Sequence, residues 1–201
     1  PDTIRSMPPA LLAFTLIGQW IGWLVVPVAL SFVKPRGGPV RYFGLRMRWF
    51  DPLIGLGGVV AQIVLGLISN SFLSPAEQAK ANSVSTGLAG GASSVAGMLV
   101  IALFIALLTP VAEEWIFRGV LFGGLRRILT SPNPGRDRLG SAVAVVIGGL
   151  LFGFAHFTSW LSQGPKVALV GMLSLSAFGM ILCWMYGYFK RLGPAIWAHA
   201  W

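Results

Sequence analysis

Two adjacent acids, Glu113 and Glu114, stand inside an apolar stretch, with Arg118 four residues after the second. The chain's two histidines, His156 and His199, lie in or beside two other apolar stretches. A carboxylate at the centre of a bilayer costs roughly 2.5–3.5 kcal/mol on insertion scales, so an acid kept there is either neutralised or used. Glu114 and Arg118 share a helix face, with the acid N-terminal, the favourable order. This spacing predicts an ion pair. Glu113 is turned by about 100° from its neighbour and has no basic residue at i+4, which leaves it as the acid available for chemistry. A carboxylate and an imidazole in a wet pocket form a general-base arrangement. The acid accepts a proton from water, while the imidazole orients the water or returns a proton to a leaving amine. A second imidazole could hold a developing oxyanion. Glu113, His156 and His199 could instead bind a divalent metal such as zinc, with a water in the open position. The His-Glu-x-x-His pattern of soluble zinc proteases is absent. The residues alone leave a metal and no metal both open.

These groups must be positioned by membrane helices. The 201 residues are 55% hydrophobic and 10% charged, against about 25% charged in a soluble domain, and the mean hydropathy is +0.76. Backbone groups in lipid must be satisfied within their own segment, which selects helices. Stretches of about 20 apolar residues fall near Ala10–Phe32, Pro52–Phe72, Ser94–Leu125, Ser141–Leu161, Val167–Phe189 and Pro194–Trp201. The expected fold is therefore all-α, a polytopic transmembrane bundle of about six spans, the last cut short at Trp201. The third stretch is too long for one upright crossing, and Pro110 gives it a reason to kink. Gly148, Gly149 and Gly153 would let neighbouring helices approach closely beside His156. The Ser-, Gly- and Ala-rich stretch Ser83–Ser94 reads as a flexible outer loop. Cys183 reads as a small buried hydrophobe, and Met172, Met180 and Met185 as packing residues rather than a copper site.

Charge placement sets the orientation. The net charge is +9, which in a soluble protein would suggest nucleic acid; here the basic residues lie between apolar spans, and no nucleic-acid partner is expected. With the third stretch taken as one crossing, Lys34, Arg36, Arg41, Arg46, Arg48, Arg126, Arg127, Arg136, Arg138, Lys190 and Arg191 fall on one side. Only Arg5, Lys80 and Lys166 fall on the other. The basic loops are then cytoplasmic, in a multi-pass protein of the plasma membrane. Val40–Phe50, with Arg41, Arg46, Arg48 and Trp49, could touch anionic headgroups, although ordinary positive-inside charge explains it more simply.

The run Glu113-Glu114-Trp115-Ile116-Phe117-Arg118 resembles the Glu-Glu-x-x-x-Arg motif of the CPBP family (CAAX proteases and bacteriocin-processing enzymes, also called Abi), which includes the type II CAAX prenyl endopeptidases. Phe152-Gly153-Phe154-Ala155-His156 resembles its second motif, and His199 the first position of its third. The similarity divides the single transmembrane domain into N-terminal spans, 1–108, and a catalytic core, 109–201. That core is incomplete, because the Asn or Asp expected four residues after His199 falls past Trp201. The resemblance implies an intramembrane endopeptidase open to the cytoplasm. Glu113 activates water with His156, His199 stabilises the oxyanion, and Glu114 with Arg118 forms the supporting pair. Members are often labelled metalloproteases, and a metal-free glutamate mechanism has also been argued for them. The implied partners are membrane lipids and a membrane-associated protein or peptide substrate. One alternative is a catalytically silent member serving as an immunity or scaffold subunit of a larger membrane complex. Another is a proton-coupled transporter, disfavoured because the acids cluster at one point and no broken helices occur in matching halves.

Overall fold

A computed structural model of the chain describes residues 9–33, 40, 43–90, 95–130 and 133–200. Every regular element among them is a helix: α1 (Pro9–Val33), α2 (Asp51–Ser71), α3 (Pro75–Gly90), α4 (the unbroken run 95–129), α5 (Pro134–Leu161), α6 (Pro165–Phe189) and α7 (Gly193–Ala200). The protein is an all-α bundle, and α2, α5 and α6 are each long and apolar enough to cross a membrane. Their outer faces carry the apolar side chains. On α2, Leu53, Leu56, Val60, Ile63 and Leu67 are exposed, while Asp51, Gly55 and Gly58 are the buried positions. This is the reverse of a soluble helix, and it suits lipid outside with close backbone packing inside.

Local chemistry explains the boundaries. Asn133 caps α5 by accepting the Gly135 N–H at 3.1 Å, and Pro134 takes the first position, where a missing N–H costs nothing. Gly164, at φ +111°, makes the reversal before Pro165 that starts α6. α3 opens with a reciprocal cap: Ser74 N–H donates to Glu77 Oε2 at 2.8 Å, and Glu77 N–H donates to Ser74 Oγ at 3.4 Å. That cap carries the helix through Gly90, so most of the loop expected over Ser83–Ser94 is helical; residues 91–94 lie outside the described set. Lys34, Arg36 and Arg41 lie outside it as well.

The third apolar stretch forms one continuous helix, α4. At Pro110 the backbone widens into a π-helical run over Ile101–Leu108. Proline cannot donate to the preceding turn, and beside it the Thr109 hydroxyl donates to the Phe104 carbonyl at 2.8 Å. A second π-helical run covers Trp115–Phe122, closed by Gly123 N–H donating to Arg118 O, five residues back.

α5 and α6 pack closely along their length. A Cβ on Gly149 would strike Met180 and the Ser176 carbonyl, and one on Gly153 would strike Ser176 and the Met172 carbonyl. Next to this seam sits a core of Phe117, Phe152, Phe178, Leu182, Met185, Ala195 and Ala198. Cys183 is buried with Phe122 and Ala144.

Candidate active site

The two acids lie in the short α-helical segment Thr109–Glu114, between the two π-helical runs of α4. Glu114 and Arg118 are fully buried and paired, Nη1 to Oε1 at 2.8 Å. The guanidinium lies over the Phe152 ring, 4.2 Å from its centroid, and its Nη2 reaches the Gly179 carbonyl at 3.4 Å. A cation stacked on a ring away from water is held by more than its counter-ion.

Glu113 faces a different set of partners. Its Oε2 lies 3.6 Å from His156 Nε2 and 3.7 Å from His199 Nε2. That oxygen is buried and makes no direct hydrogen bond. The three residues singled out on separate apolar stretches therefore converge.

The outer nitrogens fix how each ring is presented. His156 Nδ1 is 2.8 Å from the Phe152 carbonyl. A carbonyl only accepts, so Nδ1 carries the hydrogen and a neutral ring turns an unprotonated Nε2 towards Glu113. His199 Nδ1 is 2.9 Å from Glu114 Oε1, which sets the same tautomer. Glu114 thus has a role beyond its spacing to Arg118, since one oxygen accepts from both Arg118 and His199. With both acids and Arg118 ionised, the cluster carries one net negative charge, which a single proton on the Glu113–histidine face would cancel.

His199 sits on the shortest of the seven described helices, and α2 is its cradle. Cβ atoms on Gly55 and Gly58 would collide with Trp197 and Ala198. Gln62 Nε2 donates to the Ala198 carbonyl at 3.0 Å. Upstream, Leu192 N–H donates to Gly44 O at 2.8 Å and Gly193 N–H to Arg46 O at 3.2 Å. Asp51, fully buried, accepts from Arg191 Nη2 at 2.6 Å and from the Arg48 N–H at 2.8 Å. Phe43, buried on Gly119, meets Trp115 edge to face and accepts the Tyr186 hydroxyl at 3.0 Å. Arg191 is therefore a buried partner of Asp51. Sequence reading missed Gly55, Gly58, Gln62, Asp51 and the pairing of Arg191. The usable signal was Asp51, a lone acid after a basic segment and at the start of an apolar span.

A tetrahedral zinc ion with bonds of about 2.1 Å needs donors roughly 3.4 Å apart. The two Glu113–histidine gaps come near that value, and both Nδ1 atoms are held as metal-ligating histidines usually are. Yet among the described residues no three His, Cys, Asp or Glu side chains close around a common point that could hold an ion. The closure of the whole set decides the fit, because each gap constrains only one pair.

A cavity of about 510 Å³ reaches His199, bounded by α2, α3, the end of α5 and α6. Gln62, Ser69, Asn70 and Ser174 give it polar points; Trp160, Leu175 and Phe178 give it apolar walls. Its lining comes from the half of α2 beyond Gln62 and the half of α6 before Phe178, the ends opposite Asp51 and Lys190.

The family model for Type II CAAX prenyl endopeptidase Rce1-like proteins matches residues 95–201. No curated protein matches the chain, and no solved structure does. The matched segment holds Glu113, Glu114, Arg118, His156 and His199, and it makes up more than half of the sequence. Its family is one of membrane-embedded peptidases acting on protein or peptide substrates. The chain belongs to the type II CAAX prenyl endopeptidase Rce1-like family.

Proposed function

We propose that this protein hydrolyses a peptide bond of a membrane-associated protein or peptide, using a water activated by Glu113 and His156 without a metal. The supporting observation is the Glu113 carboxylate oxygen standing 3.6 and 3.7 Å from two imidazole nitrogens. That is too far for direct bonds and right for a shared water about 2.8 Å from each partner.

The water donates one hydrogen to Glu113 and the other to the His156 Nε2 lone pair. Its oxygen attacks the scissile carbonyl carbon as a proton passes to Glu113. The carbonyl oxygen becomes an oxyanion. His199 meets it with an Nε2–H that exists only on the doubly protonated ring, whose charge Glu114 balances through Nδ1. The intermediate collapses, the C–N bond breaks, and the proton on Glu113 moves to the departing nitrogen. The products are a carboxylic acid and an amine. Glu114 and Arg118 hold the geometry and touch no substrate. The substrate chain approaches His199 through the adjoining cavity. With the basic ends at the cytoplasmic face, as the charge asymmetry predicts, this approach lies in the opposite half of the bundle and departs from the cytoplasmic opening that the family resemblance implies.

The test is cleavage of prenylated and unprenylated CAAX peptides by protein reconstituted in liposomes. Glu113→Gln keeps the side chain's shape and removes the base. The expected loss is about 10²–10⁴-fold, the usual contribution of a positioned base, with thermal stability unchanged. Wild-type cleavage by this variant would overturn the role of Glu113. A chelator is expected to leave the rate unchanged; a loss restored by added zinc would overturn the metal-free assignment.

A further inference from the structure

At the opposite end of the bundle from the substrate cavity, two depressions share a wall. One, of about 380 Å³, lies where α4 and α6 end and is lined by Arg126, Arg127, Lys190 and Thr130. Among the described residues, no acidic side chain lines it. The other, about 280 Å³, runs inward between α4, α5 and α6 past Phe122, Ala142, Val145, Cys183, Trp184 and Tyr188. Arg126 lines both. The Trp184 and Tyr188 rings, stacked with centroids 5.5 Å apart and both exposed, form its outer lip.

The crowding of cations is itself informative. Burial first, and the repulsion of Arg126 second, lower the Lys190 ammonium's pKa from its ordinary value, and Asp137 only partly opposes the shift. An anion placed here would relieve that repulsion. Phosphate is well matched, because guanidinium groups offer it paired donors. Sulfate or free phosphate would satisfy the charges and leave the apolar groove unused. A molecule with a phosphate head and a hydrocarbon tail fits both, its head at the basic end and its tail entering the groove one to two helical turns deep. Basic pockets between transmembrane helices bind anionic headgroups on this principle.

The geometry points to a bound anionic phospholipid, its headgroup phosphate held by Arg126, Arg127 and Lys190 and one acyl chain lying in the groove between α4, α5 and α6. The site is separate from the Glu113 centre and does not depend on the peptidase reading.

Native mass spectrometry of the full chain released from detergent tests it, with phosphatidylglycerol, phosphatidylcholine and soluble glycerol phosphate as probes. A tight phosphatidylglycerol adduct is expected, with phosphatidylcholine weaker and glycerol phosphate weakest. Each cation removed, by Arg126→Gln or Lys190→Gln, should weaken that adduct about fivefold, the effect of one surface charge on an anionic lipid. Ala142→Trp fills the groove from an exposed position without touching the cations, and it should weaken phosphatidylglycerol while leaving glycerol phosphate unaffected. Equal retention of the two lipids would overturn the proposal. So would glycerol phosphate binding as tightly as phosphatidylglycerol, or adducts that survive both Arg126→Gln and Ala142→Trp.

Discussion

Gly58→Ala separates a cradle for His199 from a mere helix contact. A Cβ built on Gly58 lies 2.8 Å from Ala198 Cα and 2.9 Å from Ala198 O, and closer still to Ala198 Cβ. Ordinary carbon contacts are about 3.5–4.0 Å, so α7 must retreat by about 1 Å. His199 follows Ala198 directly in the chain and moves with it. Its 3.7 Å gap to Glu113 then opens towards about 4.7 Å, which carries its Nε2 away from the oxyanion it is to meet. A misplacement of this size costs about 10²-fold in rate, and the overpacking costs about 1–3 kcal/mol of stability. Gly57 supplies the control, since a Cβ there meets nothing within 4 Å. Gly57→Ala should be neutral or stabilising by up to about 1 kcal/mol, because alanine suits a helix better. The assay is kcat on a cleaved CAAX peptide, with thermal melting of both variants in the same detergent. A folded Gly58→Ala protein as active as Gly57→Ala would refute the claim that α2 sets the position of His199.

Arg118→Met should destabilise the fold by about 3–5 kcal/mol, the cost of leaving a buried charge unpaired, here Glu114; a thermal or denaturant melt checks it. Asp51→Asn should cost a similar amount, for it strands the Arg191 guanidinium held at 2.6 Å. Its kcat loss should be partly restored by the companion change Arg191→Gln, measured as a double-mutant cycle. Glu77 gives the pH prediction. The Ser74 backbone N–H, then Lys166, then the Ser74 hydroxyl lower its pKa to about 2 from an ordinary 4.5. A lowered folded pKa contributes stability that is present above the ordinary value and lost as pH falls through the folded one. The start of α3 should therefore loosen between about pH 4.5 and pH 2, seen as lower amide protection over residues 76–78, relative to the intrinsic exchange rate at each pH, and absent in Glu77→Gln.

The chemistry was readable because it follows short-range rules. The i, i+4 spacing gives the Glu114–Arg118 pair, and the roughly 100° turn separates Glu113 from Glu114. The apolar runs place α1, α2, α5 and α6 within a few residues of their observed ends, apart from the start of α5. There the chain stays helical through Arg136, Asp137 and Arg138 because Asn133 and Pro134 begin it well before the apolar run. The helix α3 was misread because serine and glycine favour loops by composition, whereas alanine favours helix and a cap at Ser74–Glu77 with the Lys166–Glu77 bridge at 3.0 Å anchors its start. The sharing of Glu114 between Arg118 and His199 joins residues 85 apart. The Asp51–Arg191 pair spans 140. No periodicity reaches that far, and nothing among the basic residues marks Arg191 as the partner of Asp51.

The weakest mechanical element of the site is also the one its family match explains least. Glu113 and His156 ride on α4 and α5, long helices held along much of their length. α7 has eight residues, too few to hold a helix in place by themselves, so the position of His199 is set by what surrounds it. Some of those surroundings, Glu114 and the core around Phe152 and Phe178, lie within the matched segment 95–201, and the rest, Gly44, Arg46, Asp51, Gly55, Gly58 and Gln62, lie outside it. The matched half supplies every group that would do chemistry, and the unmatched half supplies one side of the surface that brings the last of them to within 3.7 Å of Glu113. The small residues of α2 are thus a constraint on the active site, although none of them is polar enough to attract notice in a search for catalytic groups.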